Sequence, residues 1–218
     1  MKLLLWISVG IFCLVTSVNA QKNRQKKPTD KTVLNQLPKG VIASLNLPYR
    51  EGNERWTLDL FYPENIHDAT PAIVFIHGGG WRNGNKRKWG ILNAAMTFAK
   101  KGYVTASLNY RLIQKNENPA VGIQNGVEDV KCAVRWLRAN AEKYNIDPKR
   151  IGGYGNSAGA QLVSMLGLCP PSAGLEGDGP YQEYSSNIQA VVASATPTDF
   201  TLFESNEQKR QEEQRYFL

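Results

Sequence analysis

Apolar residues along this chain fall into two rhythms. From Arg55 to Tyr62, Trp56, Leu58 and Leu60 alternate with Thr57, Asp59 and Phe61, the two-residue period of a half-buried strand, and Pro63 ends it. Ala72 to Ile76 is an unbroken apolar run, as in a strand covered on both faces. Trp89, Leu92, Met96 and Ala99 then recur at helical spacing, and Lys100, Lys101 and Gly102 supply a helix stop. Tyr103 to Asn109 predicts another strand. Val127, Val130, Val134, Leu137 and Ala141 mark one face of a long amphipathic helix. Asp147-Pro148 predicts a turn, Arg150 to Tyr154 a brief strand, and Ala160 to Leu168 a buried helix ending near Gly167. A Pro/Gly-rich loop, Pro170 to Pro180, leads to Ile188 to Ala195, which predicts one more buried strand. Strands alternating with helices build βαβ units, so the expected class is α/β with a mainly parallel sheet flanked by helices.

The two ends read differently. Lys2, the apolar run Leu3 to Val15 and the small-residue end Val18-Asn19-Ala20 predict a Sec-type signal peptide over 1–20. Ser8, Thr16, Ser17 and Asn19 keep the run below the roughly eighteen clean apolar residues of a spanning helix. No stable membrane span is therefore expected after cleavage, and the protein is expected outside the cytoplasm, secreted or periplasmic. Residues 21–40 are expected as a basic flexible leader, and 41–218 as the folded but incomplete α/β domain. The whole chain carries a formal +7. Lys22, Arg24, Lys26, Lys27 and Lys31 against Asp30 concentrate most of that charge in the leader, a solvated linker or an electrostatic attachment to an anionic surface. The globular part is close to neutral and lacks an aromatic-interleaved basic stripe, which argues against a nucleic-acid partner. Cys13 would leave with the signal; Cys132 and Cys169 are expected as unpaired, mostly buried thiols, since a domain of this length builds its own core.

Two motifs carry candidate chemistry. Gly155-Asn156-Ser157-Ala158-Gly159 fits G-x-S-x-G, which chance alone yields roughly once in fifteen chains of this length. Its place between a predicted strand and helix strengthens it: a sharp turn there lifts the Ser157 hydroxyl above the sheet and aims a helix N-terminus at developing negative charge. The second motif, His77-Gly78-Gly79-Gly80-Trp81, follows a buried strand. Consecutive glycines there let backbone N–H groups face a cavity and, with the N–H of Ala158, hold the oxyanion of a tetrahedral intermediate. A phosphate-binding loop fails on spacing, with neither G-x-x-x-x-G-K-[ST] nor G-x-G-x-x-G at this strand end.

HGGGW, then Asn109-Tyr110-Arg111-Leu112, then DVKCAVRWLRANAEKYNIDPKRIGGYGNSAGA together resemble the α/β-hydrolase fold, and within it the bacterial carboxylesterases of the hormone-sensitive-lipase and feruloyl-esterase-like groups. The likeness covers about Val41 to Phe200. It implies Ser157 as nucleophile, an oxyanion hole of Gly79, Gly80 and Ala158 with Gly78 as the next candidate, His77 as a residue that shapes the glycine loop, and no metal or other cofactor. The implied substrate is a small-molecule or polysaccharide-linked ester, acetyl or feruloyl among them. A serine peptidase of the same fold is the alternative within hydrolases, and a non-catalytic ligand-binding or interaction relative the alternative outside them.

The sequence departs from that family in one respect. The fold orders its triad Ser, Asp or Glu, His, yet the only histidines, His67 and His77, both precede Ser157. A serine hydroxyl without a base is a poor nucleophile near neutral pH. The expectation is a truncated domain with impaired turnover, whose last strand is left as an apolar edge. Asp199 is a candidate acid, with capping of a following helix at Thr198-Asp199 as the competing reading. Asp129 reads as a surface or helix-anchoring carboxylate. Arg82, Lys86, Arg87 and Lys88 read either as a patch for acidic substrates or as a solvated helix start. Trp81 and Tyr110 either border an acyl pocket or pack.

Overall fold

The computed structural model describes residues 28–199, and the predicted signal peptide, Cys13 and the charged stretch from 200 on lie outside them. Six strands form one sheet: β1 (Val41–Pro48), β2 (Thr57–Pro63), β3 (Thr70–Ile76), β4 (Val104–Leu108), β5 (Ile146–Asn156) and β6 (Ala190–Ser194). The helices are α1 (Asp30–Asn35), α2 (Trp89–Lys100), α3 (Pro119–Ala139) and α4 (Ala158–Leu168). Strand order is β1-β2-β4-β3-β5-β6; β1 and β2 are antiparallel to their neighbours, and β4, β3, β5 and β6 run parallel. Among the described residues no helix is long and apolar enough to cross a membrane.

Two cores sandwich the sheet. Leu58, Leu60, Val74, Ile76, Ala106, Leu108 and Ile151 meet Val130, Val134 and Leu137 of α3 and Leu162, Val163 and Leu166 of α4 on one face. Phe61 and Phe75 meet Val33 of α1 and Ile91, Leu92, Ala95, Met96 and Ala99 of α2 on the other. The α3 stripe is the one expected from its spacing, except that the helix ends at Ala139, before Ala141. Its start is set by Pro119 at the first turn and by Asn118, whose side chain accepts from the Ala120 N–H at 2.9 Å.

Four expectations change. β2 is buried on both faces, Asp59 and Phe61 included, because α1 and α2 cover the side expected to face water. The Asp147-Pro148 turn is absorbed into β5, whose pairing with β3 shifts register at that end. Residues 28–40 of the expected leader are packed on the domain: Thr29 caps α1, Val33 is fully buried, and Asp30 pairs with Arg87 at 2.6 Å. β6 is exposed where a buried strand is expected, with Val192 58% exposed, because among the described residues it pairs with β5 alone. Among the described residues it forms an apolar edge. Beside it, an apolar groove of about 630 Å³ opens between α2 and the β5–β6 half of the sheet, lined by Ile73, Phe75, Phe98, Tyr154, Ala190 and Val192 among others.

The parallel strands end along one edge, with Ile76 level with both Leu108 and Gly155. His77, Asn109, Ser157 and Ala195 therefore share the carboxyl edge of the sheet, where α/β folds place their ligands.

Candidate active site

The geometry at Ser157 follows from how closely α4 must approach the sheet. Ser157 is the N-cap of that helix at φ 55°, ψ −121°, a left-handed conformation that is costly for a residue with a side chain. Three backbone hydrogen bonds hold it there. Its N–H donates to the Ser194 carbonyl at the end of β6 (2.9 Å), and its own carbonyl accepts from Ala160 (2.9 Å) and Gln161 (3.2 Å). The side chain makes no capping hydrogen bond, and the residue is partly exposed.

Gly159 explains why the turn tolerates no bulk. A Cβ there would run into the carbonyl oxygens of Ile76 and His77, both backbone atoms that cannot step aside. Gly159→Ala is therefore expected to lower stability by about 1–3 kcal/mol through overpacking, read from the midpoint of urea unfolding.

The glycine loop lies against this turn. A Cβ on Gly78 would fall 2.5 Å from the Asn156 carbonyl oxygen and 3.1 Å from the Ser157 Cβ, so the two motifs are in van der Waals contact on one side of the molecule. The loop then curls back: Gly79, at φ 144°, accepts from the Arg82 N–H (3.2 Å) and the Asn83 N–H (2.9 Å). Among the described residues, no protein acceptor takes the N–H of Gly79, Gly80 or Ala158. That of Ala158 belongs to the first turn of a helix, whose amides have no partner within the helix. Unsatisfied amides next to the hydroxyl of a partly exposed serine can bind a developing oxyanion.

Behind the loop, His77 is completely buried. Its ring stacks on Tyr110 at 4.4 Å between centroids, Nδ1 lies 3.1 Å from the Gly78 carbonyl oxygen, and the Tyr110 hydroxyl donates to the His77 carbonyl at 2.9 Å. Burial pushes the His77 imidazole down to about 3; the Arg55 charge adds to this, and the contact with Gly78 opposes it. Burial likewise raises the Tyr110 hydroxyl. Tyr110 is thus a packing residue, and buried Trp81 donates from Nε1 to Gln161 Oε1 at 3.2 Å. His67 is exposed just before β3, at the opposite edge of the sheet. The structure brings neither histidine to the Ser157 hydroxyl. Asp199 is exposed beyond β6, and the helix expected to start there lies outside the described residues.

Both readings of the basic patch fail for Lys86 and Arg87. They are buried and converge on Asp59, itself fully buried: Arg87 Nε donates to Oδ2 at 2.6 Å, and Lys86 Nζ lies 3.0 Å from Oδ1. Nothing in the pattern of that basic run distinguishes buried from solvated cations. Asp59 itself carried the signal: a carboxylate inside Leu58-Asp59-Leu60-Phe61 needs a cation if both faces close over it. Asp129 anchors helix α3, accepting from Trp56 Nε1 (2.8 Å) and the Arg111 N–H (2.7 Å). Burial pushes its carboxyl up, against the hydrogen bonds and charge of Arg111. A cleft of about 460 Å³ between the 49–56 hairpin and the 110–118 loop is lined by Arg55, Arg111, Leu112 and Asn125 among others, and Ser157 does not border it.

The sequence model of the BD-FAE family matches residues 58–218. The chain belongs to that family. This BD-FAE member is 33% identical over 138 residues to a probable carboxylic ester hydrolase, LipM, of Mycobacterium tuberculosis, covering 63% of this chain and 30% of that protein. It is 31% identical to the carboxylesterase NlhH of the same species, covering 62% of this chain and 40% of NlhH. Among solved structures it is similar to a truncated carbohydrate esterase from gut microbiota, with TM-score 0.62, 29% identity and coverage of 73% of this chain and 58% of the other. A bifunctional GH43-CE protein of Bacteroides eggerthii superposes with TM-score 0.64 and 29% identity over 73% of this chain and 21% of its own. The BD-FAE chain thus spans well under half the length of these curated relatives. Its fold is that of the α/β-hydrolase esterases.

Proposed function

We propose that the chain carries the nucleophile and oxyanion cradle of a serine carboxylic ester hydrolase. In this reading the Ser157 Oγ bonds to the acyl carbon while the N–H groups of Gly79, Gly80 and Ala158 hold the carbonyl oxygen as it gains charge, with Gly78 as the neighbouring candidate. The bond to the alcohol oxygen then breaks, the alcohol leaves with the proton given up by Ser157, and water later releases the acid. The observation that carries the reading is the contact between Gly78 and Ser157, which sets a strained, partly exposed serine beside unpartnered amides. Carbohydrate-linked esters are the favoured substrates, supported by the likeness to a carbohydrate esterase from gut microbiota and by the signal peptide that the sequence of residues 1–20 predicts.

With neither His67 nor His77 at the hydroxyl, turnover by these 218 residues is impaired. That same feature favours the second reading, a relative that binds an ester or acid without cleaving it. A fluorophosphonate probe separates the two. Intact mass is expected to rise by one phosphonyl group per chain, mapped by peptide sequencing to Ser157 and suppressed by a short-chain ester. A folded sample that takes up no label, or takes it elsewhere, would overturn the hydrolase reading.

A further inference from the structure

Arg55 stands in the hairpin between β1 and β2, far in sequence from both motifs, yet its guanidinium reaches behind the glycine loop. Its Nε donates to the Tyr110 carbonyl at 2.7 Å, and its Nη2 donates to the Gly84 carbonyl at 3.1 Å and lies 3.4 Å from His77 Nε2. Two of these partners, Tyr110 and Gly84, pack against the ring of the third, His77. Tyr110 stacks on the His77 imidazole. Gly84 closes the loop from the other end, so tightly that a Cβ there would fall 2.6 Å from both the Gly78 oxygen and His77 Nδ1.

We propose that Arg55 is a positioning residue: by presenting a donor to His77 Nε2 it fixes the proton on Nδ1, and so fixes the direction of the Gly78–Gly79 peptide beside Ser157. A neutral imidazole carries one proton and one lone pair, and which nitrogen holds which is set by its partners. A guanidinium has donors only, so Nε2 facing Arg55 must be the lone-pair nitrogen. Nδ1 then bears the hydrogen and donates to the Gly78 carbonyl at 3.1 Å. With the proton on Nε2, two lone pairs would face each other at Nδ1 and the Gly78 oxygen, while an N–H would face the Arg55 cation.

The consequence passes through one planar bond. Every described peptide is trans, and across a trans peptide the carbonyl and the next N–H point in opposite directions. Anchoring the Gly78 oxygen to His77 therefore turns the Gly79 N–H away from His77, the orientation that leaves it without a protein acceptor. Burial lowers the Arg55 pKa, but from so high a starting value that the guanidinium stays charged at neutral pH. Burial and that charge keep His77 neutral, so the arrangement holds across the physiological range.

The kinetic part of this inference rests on the proposed function; the tautomer does not. In the full chain carrying His67→Gln, nitrogen-15 NMR sees one imidazole, and the expected spectrum is that of an Nδ1-protonated, neutral ring. Arg55→Met is expected to shift the proton toward Nε2 and to slow fluorophosphonate labelling of Ser157 at least tenfold, up to the roughly hundred- to thousandfold lost with a whole oxyanion donor. An Nε2-protonated ring in the chain that keeps Arg55 would overturn the proposal without need of any Arg55 variant. So would an unchanged Nδ1–H signal in Arg55→Met. Should the tautomer shift as expected while Ser157 never labels, the hydrolase reading fails and the role of Arg55 in orienting the loop stands.

Discussion

Asp59→Ala will lower the unfolding free energy by about 3–5 kcal/mol, the cost of removing one partner from a buried ion pair. Asp59 is fully buried and serves two buried cations at once, Arg87 at 2.6 Å and Lys86 at 3.0 Å, and it also accepts from the Asn46 N–H at 2.8 Å. Without it, Lys86 Nζ keeps Asn46 Oδ1 (2.9 Å) and Thr57 Oγ1 (3.1 Å), which are neutral, and Arg87 keeps Asp30, which is 55% exposed and screened by water. The damage reaches the site, because the main-chain N–H of Lys86 is fixed on Asn109 Oδ1 at 2.7 Å and the segment 77–88 holds the glycine loop. Urea unfolding monitored by circular dichroism measures the loss, with exposed Asp68→Ala as a control expected within about 0.5 kcal/mol of the parent. A change of less than about 1 kcal/mol in Asp59→Ala would mean that water reaches the pair.

The rate at which Ser157 takes up a fluorophosphonate will rise about tenfold per pH unit, roughly a hundredfold from pH 6 to pH 8, and will rise further with added imidazole. An imidazole within reach of the hydroxyl produces a plateau once it is deprotonated. Here His67 sits at the opposite sheet edge, while His77 is buried, held near 3 and occupied on both ring nitrogens by Gly78 and Arg55. The sign is worked out from that value: His77 is already neutral throughout the window, so its titration contributes no inflection. Proton removal then falls to hydroxide, whose concentration grows tenfold per unit, or to a base supplied in solution. Ser157→Ala is expected to abolish uptake altogether while unfolding as the parent does. A plateau with a midpoint near neutrality would show that some side chain activates Ser157 after all.

Much of the candidate site was legible because its motifs are written in contiguous residues. G-x-S-x-G and HGGGW carry their own backbone demands: a glycine where α4 presses on the Ile76 and His77 carbonyls, and glycines at φ 144° and 58° where the loop curls. The rhythm of apolar residues yielded β2 to β6 and α2 to α4 in chain order, though neither α1 nor β1, for the same reason, since burial of one face is a local pattern that any core demands. What stayed hidden depends on partners far apart in the chain. Trp56 to Phe61 alternates as though one face met water, and only the packing of α1 and α2 closes that face and turns Lys86 and Arg87 from a solvated patch into buried counter-ions of Asp59. The apolarity of Val191 and Val192 is a property of sequence, whereas their exposure is decided by the place of β6 in the sheet. Arg55 carries no motif at all; its meaning appears only when the hairpin, the loop after β3 and the loop after β4 meet around one imidazole. A hydrophobic period reports how each residue relates to its chain neighbours, but the fate of a charge is set by whatever lies across the core from it.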